Sequence, residues 1–137
     1  MKKIIAFLML TVMVCGFLCA CNIVKSPDKY EVGGDKITSI TKVVGDRKVK
    51  SVKTQNQLVK YIYKQVSDTA GDVEKYVEYL VSNEGFDANV RYNNLDTAGD
   101  ITLTKPSPSD SSCTLKVRIT WDDSEYTVVA EREKSLE

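Results

Sequence analysis

The spacing of apolar residues changes several times along the chain, and each change predicts an element. Ile4 to Leu18 is an unbroken uncharged run, IIAFLMLTVMVCGFL. Lys36 to Thr54 is rich in Val, Ile and Thr around Gly45-Asp46, which predicts an N-terminal β-hairpin. Thr54 and Gln57 then have capping-box spacing, and Leu58, Tyr61, Ile62 and Val66 recur at helical intervals, so Gln55 to Ser67 reads as an amphipathic helix. Val73, Tyr76, Val77 and Leu80 repeat that period over Asp72 to Asn83, with Gly85 placed to end a second helix in the left-handed conformation.

From Phe86 onward the period falls to two. Phe86, Ala88, Val90 and Tyr92 alternate with polar residues, as do Ile101 and Leu103, Cys113 to Trp121, and Tyr126 to Ala130. Four strands follow from this alternation. Closing the hairpins so that apolar faces apolar pairs Tyr92 with Ile101, Leu103 with Leu115, Ile119 with Val128 and Trp121 with Tyr126, and sets Lys116 opposite Glu131. A sheet with one apolar face needs a cover, and the helices need a surface. The expected fold is therefore α+β, a helical pair packed on one face of a four-stranded antiparallel meander, preceded by the hairpin.

The N-terminal run is shorter than the roughly 18 to 20 residues that cross a bilayer. Lys2 and Lys3 precede it, and Leu18-Cys19-Ala20-Cys21 follows its apolar core. This arrangement resembles the signal peptide and lipobox of bacterial lipoproteins, with Leu18 at −3, Ala20 at −1 and Cys21 as the lipidated residue. Val14 and Leu18 are too bulky to stand at −1 for Cys15 or Cys19. The resemblance covers residues 1–22. It implies diacylglyceryl transfer to the Cys21 thiol, cleavage between Ala20 and Cys21, and a chain anchored by lipid at the extracytoplasmic face of the cell membrane. Two acyl chains make a durable anchor, since each buried methylene contributes about 0.8 kcal/mol.

Residues 1–20 are then the cleaved signal, 21–35 the lipidated cysteine and a flexible tether carrying Pro27, Gly33 and Gly34, and 36–137 one small α+β domain. Two of the 19 basic residues leave with the signal, against 19 acidic ones, so the mature chain has a net charge of −2 and no electrostatic reason to bind nucleic acid. That charge is unevenly spread. Lys25 to Lys64 is net +6 and Gln65 to Glu137 net −8, which would bring the basic part towards anionic head groups or wall polymers.

The sequence has no histidine, which excludes Ser-His-Asp and Cys-His catalysis and histidine metal sites within the chain. Cys113 and Trp121 share the inward parity of their strand and read as core. Asp68-Thr69-Ala70-Gly71-Asp72 recurs as Asp96-Thr97-Ala98-Gly99-Asp100. Asp68, Asp72, Asp96 and Asp100 are weak candidates for a hard cation, but neither copy has EF-hand spacing, and the same residues suit turns and caps. No metal or other cofactor is expected. Tyr63 and Tyr79 fall off the apolar stripes of their predicted helices and become candidates for a partner surface. Together these features favour a non-enzymatic binding or interaction module for a protein or envelope polymer. The alternatives are an inhibitor or immunity protein against an exported enzyme, or a carboxylate-dependent envelope hydrolase.

Overall fold

A computed structural model of the chain describes residues 24–136. The signal, Ala20 and Cys21 lie outside these residues.

The first element falls where a tether was expected. β1 (Lys29–Val32) and β2 (Asp35–Thr38) form an antiparallel hairpin around Gly33 and Gly34, with φ of 56° and 95°. Two central residues at positive φ match the right-handed strand twist, and glycine reaches that conformation at no steric cost. Tyr30, Val32 and Ile37 from this hairpin are fully buried. The tether expected over 21–35 thus contributes core.

The expected hairpin over Lys36 to Thr54 is not formed. Ile40–Val44 is a short helix, α1, and the spacing of three between Ile40 and Val43 reflects a turn of helix ended by Gly45 at φ 95°. β3 (Lys48–Gln55) then pairs with β4 (Leu58–Lys64), with an irregularity between Val49 and Ser51. The segment expected as the first helix is therefore largely strand. In β4 the inward residues are Val59, Tyr61 and Tyr63, while Leu58, Lys60, Ile62 and Lys64 take the other face. β-branched and aromatic side chains fill this segment and favour a pleated, partly buried surface.

α2 (Thr69–Glu84) forms where a helix was expected and begins three residues earlier. Asp68 caps it by accepting from the Gly71 amide at 2.9 Å, and Gly85 ends it at φ 75°. The strand expected over Phe86 to Tyr92 is absent apart from one bridge between Asp87 and Thr104. Phe86 and Ala88 are buried but Val90 is exposed, and Asn89 and Asn94 adopt positive φ, which breaks a regular ladder.

β5 (Gly99–Pro106), β6 (Cys113–Trp121) and β7 (Tyr126–Lys134) follow the alternation. β6 and β7 pair Ile119 with Val128, Trp121 with Tyr126 and Lys116 with Glu131. β5 is displaced by two residues from the expected register, so Leu103 faces Val117 and Ile101 faces Ile119. A shift of two keeps every side chain on its face, which is why the apolar pattern did not detect it.

The architecture corrects the expected one. It is mostly β, with a two-stranded sheet and a five-stranded antiparallel sheet of order β3-β4-β7-β6-β5, and among the described residues the pair of helices expected over Gln55 to Ser67 and Asp72 to Asn83 is not formed. One continuous core joins the inward face of β4 to β7 with Val73, Tyr76, Val77 and Leu80 of α2, Ile40 of α1 and the β1–β2 hairpin. Burying that face removes apolar surface from water at about 25 cal/mol per Å².

Candidate functional site

β4 carries two tyrosines into a cluster that tyrosines of three other elements, β1, α2 and β7, complete. Tyr61 lies 5.2 Å from Tyr30 and 6.0 Å from Tyr63 between ring centroids, and Tyr63 lies 5.4 Å from Tyr126. Buried phenols need partners. The Tyr63 hydroxyl bonds those of Tyr30 (2.8 Å) and Ser26 (2.7 Å), the Ile40 amide donates to Tyr30 (3.3 Å), and Tyr76 donates to the Thr38 carbonyl (2.7 Å). Burial pushes the Tyr63 phenol up to about 12 and raises those of Tyr30 and Tyr76 well above the usual range. These tyrosines stay protonated at neutral pH and act as hydrogen-bonding core. Tyr63, expected on an exposed partner surface, is fully buried because its segment is a strand facing inward. Tyr79 is half-buried on α2 and packs at the margin of the core.

The two Asp-Thr-Ala-Gly-Asp copies fold differently. Asp68 caps α2, while Asp72 turns inward and accepts from Arg47 Nε at 2.7 Å, Arg47 Nη2 at 2.9 Å and the Tyr126 hydroxyl at 3.0 Å. Those hydrogen bonds raise the Arg47 pKa, and burial with the adjacent Asp72 charge raises that of Tyr126. In the second copy the Asp96 carbonyl accepts from Trp121 Nε1 at 2.8 Å, and Asp100 pairs with Arg118 at 3.0 Å. Among the described residues no group of three or more acidic or cysteine side chains is arranged to hold a metal ion. Cys113 is buried, and its thiol donates to Asp110 Oδ2 at 3.5 Å.

Two other carboxylates secure loops. Burial opposes ionisation of Asp35, but bonds from Ser107 Oγ and from the Ser109 amide at 3.0 Å, with Arg132 nearby, outweigh it and hold the carboxyl below its usual range. Asp122 accepts from the amides of Ser124 (2.9 Å) and Glu125 (2.8 Å), which lower its pKa and fix the β6–β7 turn.

Beside the tyrosine cluster, between Val24-Lys25-Ser26, Thr41 of α1 and the edge strand β3, lies a groove of about 660 Å³. Lys25, Arg47, Lys48, Lys50 and Lys64 line it against one carboxylate, Asp46. Arg47 is committed to Asp72 and Lys50 to Glu125 at 2.8 Å, whereas Lys48 reaches only the neutral Gln65 amide oxygen at 2.9 Å. Lys25 and Lys64 make no ion pair with the described residues. Lys48 stands opposite Lys64 in the ladder. Like charges directly opposed destabilise a sheet, so this corner favours an anion. The excess of positive charge from Lys25 to Lys64 announced the groove in sequence; its walls, drawn from four separated segments, left no local signal. No protein family, curated protein or solved structure matches the chain.

Proposed function

We propose that the chain is a lipoprotein held at the extracytoplasmic face of the cell membrane through lipidated Cys21, and that its head is a non-enzymatic binding module for a protein or envelope polymer. The order Lys2-Lys3, apolar run, Leu18-Cys19-Ala20-Cys21 carries this reading. β1 begins at Lys29, eight residues after Cys21, and a chain of that length spans at most about 29 Å. The head therefore meets molecules that lie at the membrane surface or diffuse to it. A binding role is supported by how the acidic side chains are used: Asp68, Asp72, Asp100, Asp122 and Glu125 are engaged in a cap, ion pairs and a turn. Glycoside hydrolysis needs two carboxyl groups flanking a shared cleft, and the groove presents only Asp46.

Fractionation of cells expressing the Cys21→Ala variant tests the anchor. The variant accumulates as uncleaved precursor or leaves the membrane fraction; unchanged processing and retention would count against lipidation. Crosslinking of the anchored protein in its native envelope, followed by recovery and identification of what it holds, tests the binding role.

A further inference from the structure

The groove beside β3 is walled in part by Val24-Lys25-Ser26, the segment that follows Cys21 in sequence. Val24, the first described residue, forms part of its wall and stands three residues past Cys21, so the two Cα positions are at most about 11 Å apart. On the lipoprotein reading, a groove that near to Cys21 is within reach of the bilayer surface. Its chemistry suits that position. Of the four large apolar side chains left exposed among the described residues, Val24 (53% exposed) and Val52 (37%) both line it. Around them stand Lys25, Lys48 and Lys64, none paired with a carboxylate among the described residues. Apolar side chains ringed by lysines match the boundary between head groups and acyl chains, where apolar burial and attraction to anionic lipid act together.

We propose that this groove docks the head on the anionic phospholipid head groups of the membrane that holds the anchor. The proposal rests on the lipoprotein reading and adds an orientation to it. The Val24 to Ser26 segment and the β3 edge face the lipid, and phosphate groups offset the repulsion between Lys48 and Lys64.

The test uses the full chain, processed in its membrane and reconstituted into vesicles of phosphatidylcholine alone or mixed with phosphatidylglycerol. An environment-sensitive fluorophore is placed at Ser51→Cys in a Cys113→Ala background, with a second position, Ser82→Cys on α2, as control, and a quencher is carried on the lipid. The groove label is quenched in anionic vesicles and not in neutral ones, the control label in neither, and added salt reverses the quenching. Reversing charge at Lys25→Glu, Lys48→Glu and Lys64→Glu together lowers the ratio of docked to free head by at least about 100-fold. Unchanged Trp121 emission shows that this variant is folded, and Lys64→Glu alone gives a smaller loss by the same readout. Equal quenching in both vesicle types, or no response to charge reversal, overturns the docking. Quenching that follows protein density in neutral vesicles assigns the groove to a second copy and also overturns it. Mass spectrometry of the N-terminal peptide separates the two levels. Lipidated Cys21 with an unquenched groove label defeats the docking alone, whereas Cys21 without lipid defeats both.

Discussion

Asp72 closes the first Asp-Thr-Ala-Gly-Asp copy and Asp96 opens the second, and their surroundings assign them different energies. The Asp72 side chain is 7% exposed and holds both Arg47 and the Tyr126 hydroxyl. Asp72→Ala leaves a partly buried guanidinium without its counter-charge, a loss of about 3 to 5 kcal/mol. Asp68→Ala removes a helix cap and costs about 1 kcal/mol. Asp96→Ala alters an exposed side chain whose backbone carbonyl makes the contact to Trp121, and it stays within about 0.5 kcal/mol. Urea unfolding of the three variants should reproduce that order. Because both Asp72 oxygens are taken by protein donors, added calcium should leave the thermal midpoint where it is; a rise would show a site the side chains do not suggest.

At the scale of elements, β4 is the instructive case. Leu58, Tyr61, Ile62 and Val66 meet a helical template, but the pattern omits Val59 and Tyr63, which are the buried members of the strand. The strand's outer face carries half-buried Leu58 and Ile62, so apolar residues occur on both faces and the alternation that marks β6 is lost. Truncation separates the two geometries. Val59→Ala should cost about 2 kcal/mol and Ile62→Ala about 1 kcal/mol or less, whereas a helix would place the larger loss at Ile62. Where one face is buried and the other wet, as in β5 to β7, strands were legible, and Gly85 marked the end of α2. The β1–β2 hairpin was hidden by its brevity, although Gly33-Gly34 is a strong turn signal and Tyr30 and Val32 alternate with Lys29 and Glu31. The basic character of the groove could be read from charge counts, but the Arg47–Asp72 pair spans 25 residues and no spacing rule connects them.

For the whole molecule, the tyrosine cluster makes stability depend on alkaline pH. Tyr30, Tyr63, Tyr76 and Tyr126 come from β1, β4, α2 and β7, and burial raises the pKa of each. Below the ordinary phenol value, about 10, folded and unfolded chains keep these protons and the full stability is present. Between there and about 12, the folded-state value of Tyr63, the unfolded chain ionises while the fold resists, and stability falls by about 1.4 kcal/mol per pH unit for each such phenol. Phenolate absorbance followed alongside Trp121 emission should show these four protons leaving only as tertiary structure is lost. Their release with the emission unchanged would place the phenols in contact with solvent.

The strand order carries a consequence for biogenesis. β7, residues Tyr126–Lys134, follows every other strand among the described residues yet lies at the centre of the five-stranded sheet, between β4 and β6. Until it has been synthesised, β3–β4 and β5–β6 are separate hairpins with no ladder between them, and pairing across so long a separation is slow. Closure of the five-stranded sheet therefore waits on β7, and deleting Tyr126–Lys134 should leave two hairpins that cannot join.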